Sequence, residues 1–317
     1  MDNKNINIAF MGTPEFAEKS LEALYNEGYN IPLVITKVDK PVGRKKEIKF
    51  SKVKEFAILN NLEIMQPEKV KNNEELINKL KSLNLDFICV VAYGKILPKE
   101  ILEIPKYGCI NVHGSLLPKY RGSAPIQWSI INGEEYAGVT TMFMDEGMDT
   151  GDMLLKEKIK ILEEDNLETV YNKLQDIGGK LLVKTIDKVI KNEIVPEKQS
   201  DEFTLAPMIS KEMTKIDFNK TGREVFNFTR GLNPIPSVYM EHENGSIFKV
   251  GKVKEYTKLS INNYKPGEIV ETKNELVIKC KTGYVSILEI KPEGRKMMNI
   301  KDFLNGSKLN KGEIFKW

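Results

Sequence analysis

The apolar run Phe87–Ala92 (Phe-Ile-Cys-Val-Val-Ala) constrains the fold of this chain more than any other feature. Because it lacks the alternation of a half-exposed strand, it is typical of a strand covered on both faces. The β-rich runs Ile6–Met11 and Ile31–Thr36 precede it, and helical patterns lie between the runs at 52–60 and 74–83. This βαβαβ order predicts an α/β fold with a mostly parallel sheet and helices on both faces.

The last third of the chain has a different pattern. A long helix is predicted over 166–192, and polar residues with Pro196 follow it. Beyond residue 207 the chain contains short β-rich runs separated by turn residues, at 247–250, 267–271, 276–280 and 284–290. Such runs predict a small antiparallel barrel. We therefore expect a first domain over 1–190, a linker over 191–206 and a second domain over 207–317.

The two predicted domains differ in charge. The chain carries a net charge of +3, but residues 1–206 sum to −4 and the remainder to +7. A basic C-terminal part either meets a polyanion or has a lysine-rich surface without a partner. Charge alone leaves both interpretations open.

Composition indicates a globular protein of the cytoplasm. Hydrophobic residues make up 41% and charged residues 29% of the chain, and no stretch of about 18 apolar residues is present to span a membrane. The first residues run into a β-rich segment and do not resemble a signal peptide. Cys89, Cys109 and Cys280 lack metal-ligand spacing, so we interpret them as buried thiols in a reducing compartment.

Two loop-forming segments, 111–127 and 145–151, contain the candidate catalytic residues. Asn111 and His113 are two residues apart, so their side chains point the same way on an extended strand. Asp149 lies between two glycines, although Asp145 and Asp152 compete with it by spacing. An imidazole, a carboxylate and a neutral hydrogen-bond donor are suited to acyl or formyl transfer to an amine.

Other chemistry is less well supported by the sequence. His242 lies in a hydrophilic turn and is expected on the surface. Ser115 is close to His113 but outside a nucleophile-elbow pattern. Neither the dinucleotide-binding glycine pattern nor a Walker motif is present. The basic segment 37–49 is long for a strand-to-helix connection, so it is either a phosphate-binding loop or a solvated one.

Several motifs resemble one known family. They are Phe-Met-Gly-Thr-Pro-Glu-Phe-Ala at 10–17, Val-Val-Ala-Tyr-Gly-Lys-Ile-Leu-Pro at 90–98, Asn-x-His-Gly-Ser-Leu-Leu-Pro-x-Tyr-Arg-Gly-x-Ala-Pro from 111 and Asp-x-Gly-x-Asp-Thr-Gly from 145. The segments 209–218, 230–234 and 302–306 add to them. Over nearly its whole length the chain thus resembles the methionyl-tRNA formyltransferase family, whose fold is a Rossmann-like domain followed by an OB-like β-barrel.

The resemblance implies a donor substrate and a set of site residues. It implies formyl transfer from 10-formyltetrahydrofolate, without a metal, by Asn111, His113 and Asp149. In this mechanism Asn111 and His113 donate hydrogen bonds to the oxyanion, and Asp149 orients His113. The residues that it places against the folate are Val91, Tyr93, Ile96, Ser115, Leu116, Leu117 and Pro118.

The resemblance also implies an acceptor, initiator methionyl-tRNA. Arg44, Lys45 and Lys46 correspond to the family's basic tRNA-contacting loop, and the barrel to its tRNA-binding domain. We expect a monomer in the cytoplasm that takes part in translation initiation. Two alternatives remain: a formyltransferase acting on an amino sugar nucleotide, and a catalytically silent RNA-binding protein. The intact set of Asn111, His113 and Asp149 argues against the second.

Overall fold

The first part of the chain folds around a mostly parallel sheet with the strand order β5-β2-β1-β6-β7-β8-β9. The computed structural model describes residues 2–42, 47–257 and 263–317. The strands are β1 Asn7–Gly12, β2 Asn30–Ile35, β3 Lys40–Val42, β4 Glu47–Lys49, β5 Ile64–Met65, β6 Phe87–Val91, β7 Cys109–His113, β8 Tyr136–Phe143 and β9 Met153–Lys160. Strands β5, β2, β1, β6 and β7 pair in parallel, and β8 runs antiparallel to β7.

Helices cover both faces of this sheet. They are α1 Glu15–Asn26, α2 Lys52–Leu59, α3 Glu74–Ser82, α4 Lys99–Leu102 and α6 Leu167–Ile190; a further helix, α5 Pro125–Ile131, lies between β7 and β8 in the sequence. On one face, Leu76 and Leu80 of α3 pack with apolar side chains from β1, β2 and β6. On the other face, a Cβ added at Gly178 of α6 would lie 3.4 Å from Val112 of β7. The predicted α/β fold is thereby confirmed.

Local capping explains where two of these helices begin. The Ser51 hydroxyl accepts a hydrogen bond from the backbone N–H of Lys54 at 3.1 Å, at the start of α2. The Asn73 side chain accepts one from Leu76 at 3.0 Å, at the start of α3. Each cap satisfies one of the backbone donors that a helix leaves unpaired at its first turn.

Strands β3 and β4 pair antiparallel within the basic segment 37–49. The base of this strand pair is fixed by Asp39, whose carboxylate accepts hydrogen bonds from Lys54 and Gln66. The hydrogen bond from Lys54 holds the pKa of Asp39 below its usual value. Arg44, Lys45 and Lys46, the residues predicted to contact tRNA, lie outside the described residues.

The C-terminal part forms an antiparallel barrel that is nearly closed. Its elements are α7 Gly222–Leu232, β10 Val238–His242, β11 Ile247–Tyr256, β12 Ile269–Glu271, β13 Leu276–Lys279, β14 Tyr284–Pro292, β15 Met298–Asn299, α8 Ile300–Leu304 and β16 Phe315–Lys316. The strand order is β12-β13-β14-β11-β10-β16, with β15 on β14. A bridge between Glu268 and Ile314 joins the two ends of that order. The predicted barrel is confirmed, and its core includes Phe218 and Phe315.

The described residues divide into two compact units whose boundaries are not a single point in the sequence. Unit 1 comprises Met1–Pro125, Ala137–Ile159 and Tyr171–Pro207, and unit 2 comprises Ile126–Tyr136, Lys160–Val170 and Met208–Trp317. None of the helices in the described residues combines the length and the apolar composition of a membrane-spanning segment.

His242 is the clearest departure from the sequence-based expectation. Its side chain is buried, its Nε2 lies 3.2 Å from Glu313 Oε2, and its ring packs edge-on against Phe315 at 5.3 Å. The prediction of a surface position is wrong because β10 extends to His242. The two-residue period of the strand turns His242 inward with Val238 and Met240.

Candidate active site

Asn111 and His113 lie at the carboxyl end of β7, near the middle of the sheet. Pairing with β8 sets Asn111 opposite Met142 and His113 opposite Thr140. Because side chains alternate along a strand, Asn111 and His113 project from the same face, as the sequence predicted. The carboxyl edge of a parallel sheet is where open α/β folds bind their ligands.

Asp149 reaches these two residues from the loop between β8 and β9. Its Oδ1 lies 3.4 Å from the Asn111 amide nitrogen and 3.6 Å from His113 Nδ1. Its Oδ2 accepts a hydrogen bond from the backbone N–H of Gly122 at 2.8 Å. Only 7% of the His113 side chain and 14% of the Asp149 side chain are exposed, so the pair is shielded from bulk water.

The structure separates Asp149 from the two aspartates that compete with it in sequence. The Asp145 carboxylate accepts hydrogen bonds from Gly147 and Thr150 inside its own exposed loop. Asp152 immediately precedes β9, and its backbone carbonyl accepts from the N–H of Phe143. Asp149 is therefore the carboxylate of this loop that the fold brings to His113.

The ring of His113 is oriented by a backbone carbonyl. Its Nε2 lies 2.8 Å from the carbonyl oxygen of Tyr120. A carbonyl oxygen can only accept, so Nε2 carries the hydrogen and donates it. Nδ1 then faces Asp149 at 3.6 Å, a distance that indicates an electrostatic pair and not a hydrogen bond. Nδ1 is consequently the ring nitrogen oriented toward the carboxylate.

Four further residues support this arrangement. The backbone of Tyr120 contacts His113 and the backbone of Gly122 contacts Asp149. Both residues lie inside the motif that starts at Asn111, so the sequence had already indicated this segment. The Thr140 hydroxyl accepts from the N–H of Leu117 at 3.1 Å and donates to the carbonyl of Ser115 at 2.7 Å. Nothing in the sequence around Thr140 indicated that its hydroxyl would hold the backbone of Ser115 and Leu117. The fourth is Gln199, whose amide nitrogen donates to the backbone carbonyls of Asp149 and Gly151.

The residues predicted to contact folate near β6 differ greatly in exposure. Val91 and Tyr93 are buried, whereas the side chain of Ile96 is 63% exposed. Burial raises the pKa of the Tyr93 phenol to about 12, and its hydroxyl is buried without a hydrogen-bond partner among the described residues. Left-handed backbone at Ala92 and Gly94 turns the chain between these positions. A ligand at this position would therefore meet the side chain of Ile96, whereas Val91 is fully buried.

The residues of the predicted folate-contacting turn 115–118 also differ in exposure. Ser115 and Leu117 are buried, and the Ser115 hydroxyl donates to the carbonyl of Lys119 at 2.6 Å. Leu116 and Pro118 are partly exposed. Because β6 is the parallel neighbour of β7, the segments that follow these two strands leave the same edge of the sheet.

These features match known proteins over almost the whole chain. Residues 4–186 match the family described as formyl transferase, and residues 208–308 match the formyl transferase C-terminal domain. The chain therefore belongs to the formyl transferase family.

Relatives within that family are more specific. The chain is 47% identical to a methionyl-tRNA formyltransferase of Caldanaerobacter subterraneus, over 98% of this chain and 100% of that protein. It is 50% identical to a methionyl-tRNA formyltransferase of Thermodesulfovibrio yellowstonii, over 96% of this chain and 97% of that one. The resemblance inferred from the motifs is thus confirmed.

The fold is also found in solved structures. WlaRD, described as a sugar 3N-formyl transferase, aligns with a TM-score of 0.66 and 22% identity, over 92% of this chain and 99% of that one. This likeness shows a shared fold.

Proposed function

We propose that this protein transfers the formyl group of 10-formyltetrahydrofolate to the α-amine of methionyl initiator tRNA, the step that prepares this tRNA for translation initiation. One observation supports the proposal most directly: at the end of β7, the Asp149 carboxylate lies 3.4 Å from the Asn111 amide nitrogen and 3.6 Å from His113 Nδ1. This arrangement occurs in a chain about half identical, over 96–98% of its length, to proteins named methionyl-tRNA formyltransferase.

The reaction needs a hydrogen-bond donor to the oxyanion and a group that takes up the proton of the amine. The amine attacks the formyl carbon, the new C–N bond forms, and the carbonyl oxygen becomes an oxyanion. The Asn111 amide, and His113 through Nδ1–H when the ring is protonated, are placed to donate to that oxygen; one such donor is typically worth about 10²–10³-fold in rate. The Asp149 carboxylate, 3.6 Å from His113 Nδ1, is placed to orient the imidazole.

Proton transfer completes the exchange. The attacking nitrogen loses a proton, the bond from the formyl carbon to the folate nitrogen breaks, and that nitrogen gains a proton. Asp149 is the group that takes up the proton from the amine in this scheme, because its carboxylate lies beside Asn111 and His113. Ile96, Leu116 and Pro118 offer partly or largely exposed side chains for the folate, consistent with a hydrophobic contact at the same sheet edge.

The acceptor is a polyanion, and the basic charge of the chain is distributed accordingly. Residues beyond 206 carry a net charge of +7. Arg44, Lys45 and Lys46 follow β3, where the sequence is most basic. We propose that these three residues contact tRNA phosphates and that the barrel binds tRNA along its basic side. We also propose that the protein acts in the cytoplasm as a monomer. Light scattering of the purified protein would test its oligomeric state.

A direct assay tests the reaction. Purified protein is incubated with 10-formyltetrahydrofolate and labelled methionyl initiator tRNA, with His113→Ala beside the wild type. We expect formyl-methionyl-tRNA with wild type and a rate lower by about 10²-fold or more with the variant. Absence of transfer to tRNA would refute the proposal, and amino sugar nucleotides would then be tried as acceptors.

A salt titration tests the tRNA contact. Each phosphate contact that is lost reduces the slope of log affinity against log salt by about one. Arg44→Ala is expected to do so, whereas Lys81→Ala, which removes the same charge from α3, is expected to leave the slope unchanged. Equal slopes for Arg44→Ala and wild type would contradict a phosphate contact and favour the interpretation of 37–49 as a solvated loop.

A further inference from the structure

The segment 197–206, interpreted from sequence as part of a linker, is hydrogen-bonded to both loops of the candidate active site. At one end Glu197 and Met153 exchange two backbone hydrogen bonds of 2.8 Å. At the other end the N–H of Arg121 donates to Thr204 at 2.9 Å, and the N–H of Ala206 donates to Arg121 at 2.7 Å. One stretch of chain therefore joins the loop that bears Asp149 to the loop that orients His113.

The side chain of Gln199 lies between these two loops. Its amide nitrogen donates to the backbone carbonyls of Asp149 and Gly151, both at 2.8 Å. Its amide oxygen accepts from Arg121 Nε at 2.9 Å. An amide NH₂ has two hydrogens, so the two carbonyls use its donor capacity in full. The guanidinium of Arg121 is held in turn above the ring of Phe203, 4.3 Å from its centre.

The backbone of Asp149 needs such support. Its φ is +56°, in the left-handed region, which costs an L-residue about 1–2 kcal/mol relative to ordinary backbone. Conformations of this kind persist when surrounding contacts determine them. The hydrogen bond from Gln199 to the Asp149 carbonyl fixes the peptide plane that follows the aspartate. It thereby fixes the direction in which the carboxylate projects toward Asn111 and His113.

We propose that Gln199 is a positioning residue for formyl transfer, which holds the Asp149 carboxylate against Asn111 and His113 without touching the reacting atoms. The inference rests on the proposed function. Neither sequence spacing nor the family motifs single out Gln199, because its role arises from contacts with residues about 50 positions earlier in the chain.

Two substitutions test the contact. Gln199→Leu removes its donors and its acceptor. Gln199→Glu keeps the size and the oxygen facing Arg121 but places a second carboxylate oxygen against two carbonyl oxygens. Because misplacement of a catalytic group by about 1 Å can cost about 10²-fold, we expect kcat to fall by about 10–100-fold in both variants. KM for the tRNA and for 10-formyltetrahydrofolate should stay within about twofold, since Gln199 contacts neither in this scheme.

Ser200→Ala is the matched control. Ser200 is the exposed neighbour of Gln199 in the same segment, and its hydroxyl contacts only the carbonyl of Glu202, at 3.4 Å, among the hydrogen bonds described for it. This variant should keep the wild-type kcat. Circular dichroism and thermal melting establish that each variant is folded, and Gln199→Glu remains available as the more conservative change if Gln199→Leu does not fold.

A double-mutant cycle separates positioning from a general effect on stability. If Gln199 acts through Asp149, then adding Gln199→Leu to Asp149→Asn lowers kcat no further. A wild-type kcat in folded Gln199→Leu, a loss that appears in KM alone, or a full additional loss in the double variant would each overturn the proposal. An inactive wild-type enzyme would instead overturn the proposed function, so the two failures are distinguishable.

Discussion

Replacing Asp149 with asparagine should abolish most activity while leaving the fold intact. Asparagine tolerates left-handed backbone as well as aspartate does, so the φ of +56° at this position adds little strain in the variant. Its side-chain oxygen can still accept the hydrogen bond from Gly122 that Oδ2 accepts at 2.8 Å in the wild type. We therefore expect the free energy of unfolding to change by less than about 1 kcal/mol.

The catalytic cost is much larger. The variant removes the negative charge that lies 3.6 Å from His113 Nδ1 and the base that takes up the amine proton. General acid–base groups contribute about 10²–10⁴-fold, which corresponds to about 3–5 kcal/mol in the activation barrier. We expect kcat to fall by this factor.

The assay compares three isosteric variants. Formylation of methionyl initiator tRNA is followed under saturating donor with Asp149→Asn, Asp145→Asn and Asp152→Asn, and thermal melting is recorded for each. Asp145 accepts its hydrogen bonds within its own exposed loop, so its variant should retain nearly the wild-type rate. A rate for folded Asp149→Asn within about tenfold of wild type, or an equal loss in Asp145→Asn, would refute the role assigned to Asp149.

Two further predictions concern backbone packing and buried thiols. Gly122→Ala should lower the melting temperature by about 5–15 °C, because a Cβ would lie 2.6 Å from the Ala206 carbonyl oxygen at a φ of +125°. Gly28→Ala is the control, because Gly28 has a φ of +85° but nothing within 4 Å of the added Cβ, so its melting temperature should fall less. Equal melting temperatures for the two variants would contradict the packing argument. Burial raises the pKa of Cys109 and of Cys280 to about 12. Iodoacetamide at pH 8 should therefore leave both thiols unmodified in the native protein and alkylate them after unfolding, with mass spectrometry as the readout; labelling of the native protein would show that they are accessible.

Local sequence patterns accounted for much of this architecture. Continuous apolar runs and helical periods specified the order of strands and helices in the sheet domain, because burial of strands on both faces requires such runs. The two-residue period of a strand was enough to predict that Asn111 and His113 share a face. Turn residues between short β-rich runs indicated the barrel. Each of these inferences depends on residues that are neighbours in sequence.

The same patterns misled where a strand ended in polar residues. Glu-His-Glu-Asn-Gly reads as an exposed turn, yet β10 continues to His242 and buries it against Phe315. Polar composition indicated the turn correctly but placed its start too early. The inward position of His242 becomes evident only when β10 is paired with its neighbours β11 and β16.

Only the tertiary structure shows that Asp149 is the aspartate that faces His113; in the sequence, the family resemblance and not the spacing of residues singled out Asp149. Spacing could not distinguish Asp145, Asp149 and Asp152, since all three occupy one loop. The N–H of Gly122 and the amide of Gln199, 27 residues before and 50 residues after Asp149, hold that residue in place. The sequence by itself determined which elements form and which chemical groups are available. Hydrogen bonds between distant segments determined which of these groups meet, and no local window of sequence contains both partners of such a bond.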